Sequence, residues 1–194
     1  MKNIVLVTSG QPSANPRLLK EVFSLNAVGF TILVIYCPLS KWADQFDAKL
    51  FMDNSSITWI KVGYHPVFDF WKYTYARMRM KFYEKLFKLV GNKFDSSIRS
   101  MVLFSQELMR EASKHKADLY IGHNLGALPA VVTAAQKYNA KVSFDFEDFH
   151  RGEEKKDSSH WFKVMQVEAK WVPFLDYATA ASPLIQKEYE KYFQ

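Results

Sequence analysis

Short apolar runs and helix-spaced apolar positions take turns along this chain. Residues 3–8 (Asn-Ile-Val-Leu-Val-Thr) form a continuous, mostly β-branched run, the pattern of a strand covered on both faces. After a turn-forming loop at residues 9–14, Asn15 and Pro16 read as an N-cap followed by proline at the first helical position. Leu18, Val22 and Leu25, with Leu19 and Phe23, then recur at helical spacing as far as Gly29, a natural stop. Residues 31–36 and 57–62 read as the second and third strands. Two helices are expected over 70–90 and 96–115, broken near Gly91 and Asn92. A strand at 118–122, a helix at 126–138, a strand at 141–145 and a helix at 160–171 follow. A short strand at 177–180 and a helix opened by Ser182 and Pro183, running to about Tyr192, complete the series.

Strands alternating with helices predict βαβ units: an α/β, Rossmann-like three-layer domain with a mainly parallel sheet. With 194 residues, no internal repeat and no low-complexity linker, the expectation is one domain over residues 1–194. Hydrophobic residues make up 48% of the chain, ample for a core. The single cysteine, Cys37, excludes a disulfide framework and a zinc pattern, and points to a reducing compartment. The opening residues turn polar too soon for a signal peptide, and no stretch approaches the ~18 apolar residues of a spanning helix. A cytoplasmic protein is expected.

In a parallel sheet of this kind the ligand crevice lies beyond the carboxyl ends of the strands. Three loops therefore matter. The first, residues 9–15, offers Gly10, Gln11 and Asn15 before a helix N-terminus, with Arg17 in the first turn as a bidentate donor. It is either a site for an anion or a sugar hydroxyl, or an ordinary βα turn. The second places His123 and Asn124 directly after a buried strand, where imidazole and amide can exchange hydrogen bonds with a hydroxyl; the other reading is a cap and a filled polar gap. The third concentrates acid and carries Asp145, Glu147 and His150 as candidate ligands for sugar hydroxyls, while residues 151–158 read as a solvated charged loop. A hard cation is the weaker use of those carboxylates, and no metal site is expected.

Charge changes the picture in one place. Residues 70–99 hold eight basic residues against Glu84 and Asp95, so this window carries the whole formal net charge of +6. On a helix, Arg77, Lys81, Lys85 and Lys88 form one basic stripe, with Met78, Phe82, Leu86 and Leu89 as an apolar stripe beside it. Such a helix suits an anionic membrane surface. It equally suits a core-packed helix with a solvated outer face. Nucleic acid, the third use of interleaved basic and aromatic residues, is not the expected partner.

With these residues in place, the chain resembles the N-terminal domain of the retaining glycosyltransferase family 4, one half of a GT-B fold. Four segments carry the likeness. Asn15-Pro16-Arg17-Leu18-Leu19, leading to Gly29-Phe30-Thr31-Ile32, resembles the family's Pro-Arg helix and its entry into the second strand. Ala117–Asn124 is similar to the segment ending in a His-x-His/Asn pattern, and Lys141–Asp148 to a strand running into Asp-x-His-Glu. Asp176–Ile185 resembles the element before the crossing to the second domain. This chain has Glu147-Asp148 where the family tends to have His-Glu, and its nearest histidine is displaced to His150.

The resemblance implies a catalytic role for His123 beside the reacting sugar. It makes Gly10, Gln11, Asn15 and Arg17 part of the wall between domains, and Asp145 part of the acceptor cleft. It further implies a sugar or lipid-linked sugar as acceptor. A nucleotide-sugar donor would be held by a C-terminal domain for which nothing here provides a match, so this domain is expected to bind no cofactor itself and to be inactive alone. The crossing would begin near Gln194. Peripheral attachment to the inner face of a membrane fits the basic segment. The alternative is a non-catalytic Rossmann-like binding module docking on a membrane or protein partner. An oxidoreductase is disfavoured by the missing G-x-G-x-x-G fingerprint and by Tyr36-Cys37-Pro38 where an acidic residue would meet a ribose.

Overall fold

The computed structural model describes residues 2–39 and 41–193. Met1, read with the first strand, and Gln194, the expected crossing point, lie outside the described residues. Six parallel strands form one sheet in the order β3-β2-β1-β4-β5-β6: β1 Asn3–Thr8, β2 Thr31–Tyr36, β3 Thr58–Lys61, β4 Leu119–His123, β5 Lys141–Phe146 and β6 Tyr177–Ala180. The strand order reverses between β1 and β4, so the loops after these two strands diverge and open the crevice there. All six strands predicted from the apolar runs are present.

Helices cover both faces. On one, α1 (Pro16–Ala27) inserts Leu18 and Val22, both fully buried, against Ile4, Leu6, Ile32, Val34 and Ile121. Burial of such side chains stabilises by roughly 1.5–3 kcal/mol each, and this fixes the helix over the middle of the sheet. Its start is capped by Asn15, whose Oδ1 accepts from the Leu18 N–H at 2.9 Å, and Gly29 at φ 91° ends the turn. On the other face lie α3 (Phe70–Val90), α4 (Ser96–Met101), α5 (Ser105–Ala112), α6 (Leu128–Tyr138), α7 (Ser159–Trp171) and α8 (Pro183–Glu190), around a core that includes Tyr120, Leu128, Val131, Phe144 and Phe146.

Two differences from the sequence reading have physical causes. A further helix, α2 (Lys41–Asp53), stands where no element was expected. Its buried positions are an alanine and an aspartate, while Trp42, Phe46 and Met52 face outward, so it shows no apolar stripe. Asp47 takes its place in the interior because its carboxylate accepts from the Ser13 N–H at 2.9 Å and Gln11 Nε2 at 3.0 Å. The helix expected over 96–115 is two helices, interrupted at the extended Val102 so that the Phe104 ring drops into the core. That ring fills the space over Gly63, where an added Cβ would come within 2.6 Å.

Candidate functional site

Parallel pairing places Thr8 beside His123, His123 beside Asp145, and Asp145 beside Thr179. Paired residues on neighbouring strands point to the same face, so these four polar side chains form one lateral row at the carboxyl edge of β1, β4, β5 and β6. Below the row the same face is apolar (Leu6, Val34 and Ile121). Above it runs the flank of α1 that carries Arg17 and Glu21, four residues apart and therefore on one side of the helix.

Asp145 is 3% exposed and is held by three donors. Arg17 grips it bidentately, Nε to Oδ2 and Nη2 to Oδ1, both at 2.6 Å, and Thr179 Oγ1 donates to Oδ1 at 2.6 Å. Burial alone would raise this carboxyl's pKa. The bonds from Arg17 and Thr179 outweigh it and hold the value below the ordinary carboxylate range.

Glu147 joins the three loops. Its Oε1 accepts from Asn15 Nδ2 at 2.6 Å and from His123 Nδ1 at 2.7 Å, and its Oε2 accepts from Asn124 Nδ2 at 3.0 Å. Asn124 in turn accepts from Thr8 Oγ1 at 2.7 Å. To reach both partners Asn124 adopts φ 64° and ψ 144°, a conformation that side chains rarely take and that costs on the order of 1–3 kcal/mol. Gly126 lets the first and second loops touch, since a Cβ there would meet Ser9 at 2.6 Å.

His123 is fully buried and sits between two carboxylates, with Nδ1–H donating to Glu147 and Nε2–H donating to Glu21 Oε2 at 2.8 Å. Burial disfavours the imidazolium, but the hydrogen bonds to Glu147 and Glu21 outweigh it and push the pKa up to about 9. His123 is therefore a cation at neutral pH. The folded pKa lies above the ordinary ~6.5, so this stabilisation is complete below pH ~6.5 and lost as pH rises through about 9. Urea unfolding at successive pH values is expected to show stability falling by roughly 3 kcal/mol across that window. The fall should be flattened in His123→Gln; a wild-type profile level from neutrality to pH 9.5 would contradict the clamp.

The family resemblance implies His123 beside the reacting sugar; in the structure Glu21 covers its Nε2 side at 2.8 Å. Glu21, Thr8 and Thr179 belong to this cluster and were not singled out in the sequence. The i,i+4 pair Arg17/Glu21 beside a strand-end histidine is the signal that could have found Glu21.

Other expected residues lie elsewhere. Gly10 donates to Thr8 Oγ1 at 3.2 Å and accepts from the Cys37 N–H at 3.1 Å, so it shapes the first loop through its backbone. Gln11 turns away from the crevice: its amide donates to Asp44 and Asp47 at 3.0 Å, which ties the loop to α2. His150 is also outside the cluster, buried with Nδ1 at 2.6 Å from Glu153 and its backbone N–H on the Tyr189 hydroxyl. Residue 151 corrects the expectation of a solvated loop, because Arg151 is buried on Glu168. Of the basic stripe, Arg77, Lys81, Lys85 and Lys88 all lie on the surface, remote from these loops in sequence and carried by α3.

A cavity of about 300 Å³ opens on the row, lined by Arg17, Lys20, Glu21, Ser24, Asp145 and Thr179. Arg17 reaches it with a side chain 42% exposed, whereas that of Asp145 is 4% exposed. A larger groove of about 920 Å³ lies beside edge strand β6 and α8 but is lined mainly by apolar and aromatic groups. Ligand atoms of His123, Asp145 and Glu147 lie within 4.8 Å of one another, the spacing of a metal site. In this arrangement the two carboxylates accept from Arg17, Asn15 and His123 Nδ1–H, so a cation here would have to displace that proton and share oxygens that are already hydrogen-bonded.

No family model and no curated protein matches the sequence. Solved structures do. A UDP-N-acetylglucosamine 2-epimerase of Listeria monocytogenes superposes over 99% of this chain with a TM-score of 0.57 at 9% identity. UGT89C1 of Arabidopsis thaliana complexed with UDP-L-rhamnose matches 100% of it at 0.55 and 14% identity, and the same protein with UDP matches 99% at 0.53 and 11%. The fold is a Rossmann-like half of the GT-B architecture. The chain spans 43% of the epimerase and 49% of UGT89C1.

Proposed function

We propose that this chain is the N-terminal, acceptor-side half of a retaining glycosyltransferase resembling family 4. It would move a sugar from a nucleotide-sugar to a hydroxyl acceptor in cell-envelope polysaccharide or glycolipid synthesis on the cytoplasmic side. The observation that carries this reading is the polar row at the switch point, with Arg17 and Glu21 over it and a cavity in front. A guanidinium and a carboxylate side by side offer a donor and an acceptor to vicinal hydroxyls, the recognition that a sugar needs. UGT89C1, which shares this fold, is seen in complexes with UDP and with UDP-L-rhamnose, which supports a nucleotide-sugar donor.

In this reading a C-terminal domain holds the donor and closes over the crevice. Arg17 and Glu21 meet the acceptor. His123 is a positioning residue: its Nε2–H fixes Glu21 and its Nδ1–H fixes Glu147, so the acceptor hydroxyl meets a pre-set carboxylate. The developing charge on the leaving diphosphate would be met by donors of the closed cleft.

The test uses the protein encoded by the complete reading frame that contains this chain. It is given a panel of labelled nucleotide-sugars with lipid and polysaccharide acceptors. Transfer from at least one donor is expected, and Arg17→Lys, which keeps the charge but not the bidentate fork, should slow it about a hundredfold. No transfer from any donor, or an unchanged rate in Arg17→Lys, contradicts the reading.

A further inference from the structure

The sequence leaves open whether the apolar positions of α3 face the core. They do not. Ala76 alone is fully buried on this helix, while Trp71 (81% exposed), Tyr75 (64%), Met78 (65%), Phe82 (59%) and Leu89 (81%) face solvent. Their spacing, i, i+4, i+7, i+11 and i+18, puts them on one line along a helix about 30 Å long. Arg77, Lys81, Lys85 and Lys88 follow one flank of that line, opposed on α3 only by Glu84, which pairs with Lys88 at 3.6 Å. The other arginines of the segment are used internally, Arg79 on Glu107 and Arg99 on the Tyr83 hydroxyl, which fastens the opposite side of α3 to the body of the domain.

The turn before α3 is built to hold its rings outward. His65 Nδ1 accepts from the Val67 and Phe68 N–H groups at 3.1 and 3.2 Å, and Asp69 accepts from the His65 N–H at 3.0 Å. Phe68 stands 87% exposed on this rigid turn. An aliphatic-aromatic line with a cationic border, fixed along a helix lying on the surface, matches a headgroup–acyl boundary of negative charge.

We propose that the outer face of α3, with the Val67–Phe68 turn, docks this protein on an anionic lipid bilayer, the apolar line entering the interface and the basic flank resting on headgroup phosphates. Among the described residues no helix is long and apolar enough to cross a membrane, so the contact is peripheral. Because α3 starts from the carboxyl end of β3, its aromatic N-terminal end lies at the edge of the sheet that carries Thr8, His123 and Asp145. Docking would thus present the crevice to molecules carried in the lipid surface. Only this last step, a lipid-linked acceptor, rests on the transferase reading.

Co-sedimentation of the chain with phosphatidylcholine vesicles, with and without phosphatidylglycerol, tests the docking without donor or acceptor. Its failure and that of the transferase reading are therefore distinguishable. Binding is expected with the anionic vesicles, weakened on the order of thirtyfold by Lys81→Glu with Lys85→Glu. Trp71→Ala with Phe82→Ala, which leaves the charge unchanged, should weaken it about tenfold. These positions are exposed, and an unchanged circular dichroism spectrum confirms that each variant is folded. Absence of binding to anionic vesicles, or binding that survives the charge reversals, overturns the proposal, as does a chain that ignores vesicles and binds single-stranded RNA.

Discussion

Glu147→Ala is expected to destabilise the protein by about 3 kcal/mol and to loosen all three crevice loops together. The reason is the asymmetry between forming a buried hydrogen bond and abandoning one. Glu147 receives Asn15, His123 and Asn124, each from a different loop or strand end, and removing it leaves three donors without their acceptor. One donor is a buried imidazolium that would retain its hydrogen bond to Glu21 and, at 3.8 Å, the carboxylate of Asp145. The strained backbone of Asn124 also loses one of its two side-chain anchors. Glu147→Gln keeps one acceptor oxygen and should cost about half as much. Asp148→Ala, at the exposed neighbouring position, should stay within about 0.5 kcal/mol of wild type. Chemical denaturation of the three variants ranks them, and a Glu147→Ala protein as stable as Asp148→Ala would refute the hub.

The second large effect belongs to the opposite face. Glu168 is fully buried, paired with Arg151 and accepting from the Tyr189 hydroxyl at 2.9 Å. The Arg151 guanidinium lies 4.2 Å from the Tyr192 ring centre and 5.2 Å from that of Phe193, so this one pair connects α7, α8 and the segment after β5. Burial raises the Glu168 pKa and outweighs the bonds from Arg151 and Tyr189 that lower it, a sign of how far the group is removed from water. Glu168→Ala should cost about 3–5 kcal/mol, because it strands a buried guanidinium. Arg151→Met combined with Glu168→Leu removes both charges and should return to within about 1–2 kcal/mol of wild type. Thermal unfolding of the single and double variants decides the point: a double variant no better than Glu168→Ala would mean that the pair contributes more than the charge it neutralises.

Why part of this molecule was legible in its sequence, and part was not, follows from which signals are local. The first two strands are continuous, largely β-branched runs, and α1 carries both a cap and an apolar stripe, so each declares itself within a few residues. The Asn15 cap and the break at Gly91 are of this kind. α2 gives no such sign, because its buried side is an alanine and an aspartate stabilised by bonds to the first loop. The site divides along the same line. Strand ends pointed to His123, Asn124, Asp145 and Glu147, since polar residues after buried runs need a reason. Which of them meet depends on register: Thr8, His123, Asp145 and Thr179 become neighbours only through the pairing of strands far apart in the sequence, and no local window holds them together. Gln11 and His150 carry the right chemistry, but the Gln11 amide donates to Asp44 and Asp47, and Glu153 holds Nδ1 of a His150 ring that is buried away from the row.

The most direct measurement of the central claim, that the polar row at the strand ends receives a sugar acceptor, is nuclear magnetic resonance of the 15N-labelled chain. Methyl glycosides of common hexoses and N-acetylhexosamines are titrated in one at a time, and the side-chain signals of Arg17 and Asn124 are followed with the backbone amides. A saturable shift for at least one glycoside, centred on Arg17 Nε–H, Glu21 and Thr179 and lost in Arg17→Ala, is the predicted result. No shift with any glycoside, or shifts confined to the groove beside β6 and α8, would contradict it.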